Sequence, residues 1–188
     1  MKITTSRIIP VDLNAILYRN EKSLERMHRM LAEATAESAA AARVPTESAS
    51  AARVPTEAAV AMEATAELAL LSDGARRFSR AAEARQLAMR TYMWEDEAGV
   101  WRDLEISSGG SLVGGGGVVS GGFASGGVAS GGFASVSRLP QLSVASFAPL
   151  WAGGSTLEES ARAVRALTSS GLLQPGGVAT TLVHTGES

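Results

Sequence analysis

From Leu13 to about Ser38 the apolar positions recur at helical spacing. Leu13, Ile16 and Leu17 share one turn, and Leu24, Met27 and Leu31 prolong the stripe. Arg19, Glu21, Lys22, Glu25, Arg26 and Arg29 lie mostly off it. The pattern predicts one long amphipathic helix whose apolar face needs a partner. Its start is well marked, because Pro10 disfavours helical geometry at Ile9, and Asp12 can accept a hydrogen bond from the first free amides of a helix beginning around Leu13.

A second helix is expected from about Glu57 or Gly74 through Met93. Phe78, Ala81, Ala82, Ala88, Met89 and Tyr92 give it one face, while Arg76, Arg77, Arg80, Glu83 and Arg85 are mostly solvated. Between the two helices residues 32–66 are rich in alanine, and Ala41-Ala42-Arg43-Val44-Pro45-Thr46-Glu47 recurs ten residues later, from Ala51 to Glu57. A decapeptide doubling is too short for a solenoid, whose repeats run to roughly 20 to 50 residues. Pro45 and Pro55 each interrupt helix. The stretch reads as a low-complexity insertion, either disordered or made of short helical pieces.

After the second helix, Trp94-Glu95-Asp96-Glu97-Ala98-Gly99-Val100-Trp101-Arg102-Asp103 reads as an acidic turn containing Gly99 that leads into a short extended piece. Residues 107–137 are mostly Ser, Gly, Ala and Val, with Ser120-Gly121-Gly122-Phe123-Ala124 echoed twice more at five-residue intervals. Glycine at this density makes ordering costly, so a second, mobile insertion is expected. Order should resume near Leu139. The apolar run Ser146-Phe147-Ala148-Pro149-Leu150-Trp151-Ala152 ends in a glycine pair, and Thr156-Leu157-Glu158-Glu159 fits a capping box. The helix it opens should carry Leu157, Ala161, Val164 and Leu167 as far as Gly171.

Composition narrows the core more than length does. The chain has 188 residues and 45% of them are hydrophobic, but many of these are alanine and only 5% are aromatic. A net charge of −2 leaves no electrostatic footprint for nucleic acid or an anionic membrane surface. There is no cysteine, which excludes disulfides and thiolate metal sites without fixing a compartment. No apolar run is long enough to span a bilayer, and the N-terminus lacks the apolar core of a signal peptide.

Candidate chemistry is sparse. Asp12 reads as a helix cap, Asp96 and Glu97 as a solvated turn, and Glu158 and Glu159 as first-turn residues favoured by the helix dipole. His28 and His184 are far apart in sequence with no third ligand nearby, which argues against a metal. No serine sits in a nucleophile elbow and no glycine pattern cradles phosphate. Trp94, Trp101 and Trp151 could stack on sugar faces or fill a helical core.

Three collinear blocks together resemble the trehalases, the glycoside hydrolases that split α,α-trehalose into two glucoses. The first is Thr4-Thr5 followed by Ile8-Ile9-Pro10-Val11-Asp12-Leu13-Asn14-Ala15, with Arg7 as an extra residue. The second is the Trp94, acidic pair, Gly99, Trp101 and Asp103 spacing after the next helix. The third runs from Pro149-Leu150-Trp151 through a helix to Leu172-Leu173-Gln174-Pro175-Gly176-Gly177, then to Thr185-Gly186. The blocks cover about 100 residues, an extent set by the two insertions.

The resemblance implies an α/α barrel of six helical hairpins and inverting hydrolysis without a cofactor. It places the general-acid Asp before Met1 and the general-base Glu after Ser188, so the chain reads as a fragment carrying no catalytic, substrate-binding or metal-ligating residue. The expected fold is therefore all-α, an incomplete portion of that barrel. Residues 1–38, 67–106 and 139–188 would be wall segments, separated by an Ala-rich insertion at 39–66 and a Gly/Ser-rich disordered insertion at 107–138. Trehalose is the implied partner of the full-length parent. The alternatives are a non-catalytic α-helical interaction protein and a degenerate gene copy.

Overall fold

A computed structural model describes residues 7–41, 57–107 and 135–182. The Thr4-Thr5 pair, the doubled alanine-rich decapeptide with Pro45 and Pro55, the glycine-rich run, His184 and Thr185-Gly186 lie outside the described residues. The fold is mostly helical. It also contains short strands, which the all-α expectation omitted. The chain divides into two compact units, one of Met1–Ile16 with Gln86–Ser188 and one of Leu17–Arg85. Helix α1 (Val11–Ala41) begins in the first unit and continues into the second, and α2 (Glu57–Ala88) runs the other way, from the second into the first.

The unit of Leu17–Arg85 is an antiparallel pair of helical segments. Arg85 grips Glu21 through two hydrogen bonds, Nε to Oε2 at 3.0 Å and Nη2 to Oε1 at 2.8 Å. Further along, the rings of His28 and Phe78 lie 5.2 Å apart. Partners rise in number on α1 as they fall on α2, which fixes the direction. Tyr18 and Glu25 on α1, and Ala75 and Ala82 on α2, are buried. Small residues on α2 let the helices approach closely. Gly74 takes this furthest, since a Cβ there would overlap the His28 ring.

This arrangement corrects the expected face of α1. Leu13, Ile16, Leu17, Leu24, Met27 and Leu31 are all exposed, and the helix instead buries Val11, Ala15, Tyr18 and Glu25. Those four also recur at helical spacing, but they include a carboxylate and an alanine, so hydropathy alone hides them. The expected face of α2 fares better: Ala82 and Met89 are buried and Phe78, Ala81, Ala88 and Tyr92 are half-buried.

In the other unit, the last turn of α2 widens into a π-helical segment, Met89–Met93, which turns both methionines inward. Strands β2 (Trp94–Glu95) and β3 (Val100–Trp101) form an antiparallel hairpin around Gly99, which has φ +66°. A three-stranded antiparallel sheet has the order β1 (Ile8–Ile9), β4 (Leu104–Ser107), β5 (Ser135–Arg138). Strands β4 and β5 pair over four residues, with Ser107 opposite Ser135. Regular structure thus returns at Ser135, ahead of the expected Leu139.

A 3-10 turn (Val144–Phe147) leads into the short α3 (Ala148–Ala152), closed by Gly153 at φ +74°. Helix α4 (Leu157–Ser169) opens with the expected capping box: the Glu159 amide donates to Thr156 Oγ1 at 3.1 Å, and the Thr156 amide donates to Glu159 Oε2 at 2.7 Å. Its buried face again differs from the expected one. Ala163 is fully buried, while Leu157 is 91% exposed and Val164 is half exposed. A last hairpin joins β6 (Leu173–Gln174) to β7 (Gly177–Val178) over Pro175-Gly176. Trp101, Met89, Leu172, Val11 and Val100 are the largest side chains fully buried in this unit.

Candidate functional site

Polar and aromatic side chains converge where the β2–β3 hairpin meets α4. Hairpin pairing sets Trp94 directly across from Trp101, and their rings sit 4.5 Å apart at 56°. The Trp94 indole Nε1 donates to Asp96 Oδ1 at 3.2 Å, and Arg162 Nη1 reaches the same oxygen at 2.6 Å. The Arg162 guanidinium lies 5.6 Å from the Trp94 ring centroid, within cation–π range. Gly99 makes the approach feasible: its φ favours glycine, and a Cβ there would lie 3.3 Å from the Arg162 Cβ.

Further charged groups brace the same unit. Arg90 Nε donates to Glu159 Oε1 at 2.8 Å, tying the π segment to the start of α4. Arg102 Nε donates to Glu95 Oε2 at 2.8 Å, and its Nη1 donates to the carbonyl of Pro140 at 2.8 Å. Asp103 Oδ1 accepts the Val11 amide at 2.7 Å. Helix α1 thus starts at Val11, two residues before the expected Leu13, and its first amide is capped by a residue far along the chain. Asp12 accepts from the Leu13 amide at 2.7 Å and lies inside the first turn.

Electrostatics decide what these carboxylates can do. Hydrogen bonds from the Trp94 indole and the Arg162 guanidinium hold the Asp96 carboxyl below its usual range. For Glu159, burial pushes the carboxyl up, but hydrogen bonds from the Thr156 amide and Arg90 together outweigh it, and the net shift is downward. Glu25, in the Leu17–Arg85 unit, is lowered chiefly by its hydrogen bond from Lys22, with Arg29 adding to the effect and burial opposing it. A general acid needs a carboxyl that keeps its proton near neutral pH. These three are held ionised, so they serve as acceptors and anchors.

Glu97 lines a shallow recess of about 270 Å³ with Gly99, Arg162, Arg165 and Ser169. Glu158 is exposed in the first turn of α4. Trp101 is buried core, Trp94 is half-buried, and Trp151 is 60% exposed on α3. His28 lies in the helix pair, its Nδ1 2.8 Å from the Leu24 carbonyl. Among the described residues no group of three or more His, Asp or Glu could hold a metal ion, and no helix is long and apolar enough to cross a membrane. Sequence reasoning missed the roles of Arg162 and Asp103. Asp103 does close the Trp-acidic-Gly-Trp-Asp spacing, which was the available signal.

The geometry defines a mostly helical segment knit together by aromatic, arginine and carboxylate brackets. The trehalase family model matches residues 1–188, and the chain belongs to the trehalase family. It is 27% identical to a probable trehalase of Oryza sativa subsp. japonica over 193 residues, covering 98% of this chain and 25% of the rice protein. It is 27% identical to a trehalase of Arabidopsis thaliana over 117 residues, covering 61% of this chain and 16% of that protein. A periplasmic trehalase of Salmonella newport is 25% identical over 185 residues, covering 98% of this chain and 21% of that protein. The chain therefore spans a quarter or less of the length of these relatives.

Proposed function

We propose that this chain is a scaffold segment of a glycoside hydrolase that converts α,α-trehalose to two glucose molecules by inverting general acid/base attack of water. In this reading residues 1–38, 67–106 and 139–188 are wall pieces of an α/α barrel, residues 39–66 and 107–138 are insertions, and the acid and base belong to other segments of the enzyme. The observation that carries the reading is the family match over residues 1–188. Further support comes from the antiparallel course of α1 and α2 in the Leu17–Arg85 unit, a pairing suited to a helical hairpin.

The carboxylates support the division of labour. An inverting glycosidase needs two carboxyl groups about 6.5 to 9.5 Å apart, one of them protonated near neutral pH. Asp96 and Glu159 are each bonded to an arginine and held ionised. Neither has the free, protonated carboxyl that the acid role requires.

A coupled glucose assay on the purified 188-residue chain with trehalose tests this assignment, and no glucose release is expected. Measurable turnover abolished by substitution of Asp96 or Glu159 would overturn it. Reading the genomic DNA on both sides should reveal an upstream Gly-Trp-Asp-like segment and a downstream Gln-Trp-Asp followed by a Glu-bearing stretch. Finding neither would remove the acid and base on which the enzymatic reading depends.

A further inference from the structure

In the unit of Met1–Ile16 with Gln86–Ser188, the helix leaves α geometry over Met89–Met93, where the Trp94 amide bonds the Met89 carbonyl, five residues back. An α-helix would send that amide to Arg90, four residues back. Wide turns of this kind are rare and concentrate at functional sites, so one that persists needs contacts outside the helix to hold it. Fixed ends supply them. Before the turn Gln86 Nε2 donates to the Gly154 carbonyl at 3.0 Å. After it the Arg102 amide donates to the Met93 carbonyl at 2.8 Å, and Trp94 pairs across the hairpin with Trp101. Between these anchors the π turn takes up one residue of slack that an α-helix would not hold.

Arg138 closes the arrangement. From the end of β5 its Nε donates to the Tyr92 carbonyl at 2.8 Å and its Nη2 to the Thr91 carbonyl at 3.5 Å. A cation on the last carbonyls of a helix is favoured by their partial negative charge. The Thr91 hydroxyl donates to the Leu87 carbonyl at 2.8 Å, a back-bond of the kind that bends helices. Slipping to α would draw one more residue into the helix and swing its terminal carbonyls by about 100°, away from the guanidinium. Trp94, which is extended at ψ 125°, would leave its place across from Trp101.

We infer that Met89–Met93 is a two-register hinge latched by Arg138. With the guanidinium in place the turn stays π and Trp94 stays on Trp101; with it withdrawn the turn relaxes to α and Trp94 is wound into the helix. Strand β5 is an outer strand of its sheet, so the latch reaches the turn from an edge. The inference does not depend on trehalose as substrate, and it stands or falls on the register of the turn alone.

Circular dichroism of the 188-residue chain reads the register, because two indole rings 4.5 Å apart give an exciton couplet that vanishes when they part. Trp94→Phe identifies the couplet by abolishing it. Arg138→Ala should reduce its amplitude at least twofold. Deleting Thr91, which is exposed, removes the slack, so α geometry and the Trp94–Trp101 pair coexist. In that background the couplet should remain, and Arg138→Ala should no longer reduce it. Deleting Ala84, also exposed but inside regular helix, should instead abolish cooperative unfolding. If Arg138→Ala alone fails to fold, the Thr91 deletion should restore folding to it, and failure to do so would count against the hinge. An undiminished couplet in Arg138→Ala would overturn the inference. Loss of the couplet on deleting Thr91, or a couplet still sensitive to Arg138→Ala after that deletion, would overturn it too.

Discussion

Asp103 caps a helix that starts 92 residues earlier: its Oδ1 accepts the Val11 amide at 2.7 Å. Val11 is fully buried, so its N–H has no solvent to fall back on. The Asp103 carbonyl also accepts the Leu139 amide at 2.8 Å, which ties the chain after β5 to the same residue. Asp103→Ala should lower stability by about 1 to 2 kcal/mol, the cost of losing a cap at a buried terminus. Asp103→Asn keeps an acceptor and should cost less, and Asp12→Ala should stay within about 0.5 kcal/mol. Urea unfolding of the three variants ranks them. Equal losses at positions 12 and 103 would show that the distant cap is unimportant.

That cap marks the boundary of what was legible. Thr156 and Glu159 lie three residues apart, so their capping box could be read directly and is present as expected. The acidic turn at Gly99 is local in the same way, and it forms a hairpin. The Asp103 bond to Val11 and the Arg162 bond to Asp96 join distant residues, and no local pattern announces either. The buried faces of α1 and α4 were misread for another reason. Hydropathy weights Leu24, Met27 and Leu157, whereas the fully buried positions include Ala15 on α1 and Ala163 on α4, small side chains that permit close approach.

Gly74 is a case where packing and helix propensity oppose each other. In mid-helix, alanine is normally favoured over glycine by about 1 kcal/mol. At this position a Cβ would overlap the His28 ring, which is held by the Leu24 carbonyl and lies beside Phe78. Gly74→Ala should therefore destabilise by about 1 to 3 kcal/mol, the usual scale for overpacking. His28→Ala in the same chain should restore at least half of that loss, a non-additivity that a double-mutant cycle measures. Strict additivity would mean the two residues do not compete for space.

Glu159 gives the protein an acid limb. Its carboxyl is held below the ordinary value of 4.5, so its contribution is fully present above that value and is lost as pH falls through the lower folded-state value. Glu159→Gln keeps the capping geometry but removes the charge that faces Arg90. The variant should melt below the parent at pH 7, and the gap should narrow as pH drops below about 4.5. Melting curves from pH 7 to 3 decide the matter, and a gap independent of pH would contradict an ionised Glu159.

The tryptophans separate core from surface most sharply. Trp101 is 1% exposed on β3, with Trp94 tilted against it, and its strand neighbour Val100 is paired with Glu95 in the hairpin. Removing its ring leaves a void that a two-residue strand cannot collapse to fill, so Trp101→Ala should cost about 3 to 5 kcal/mol. Trp151, 60% exposed on the five-residue α3, should cost within about 0.5 kcal/mol when replaced by alanine. Trp94 lies between these limits, because its loss exposes one face of Trp101 and frees Asp96 from one of its two bonds. Denaturant unfolding of the three alanine variants should rank the losses Trp101, Trp94, Trp151. If Trp151 proved as costly as Trp101, α3 would have to be packed far more deeply than its exposure indicates.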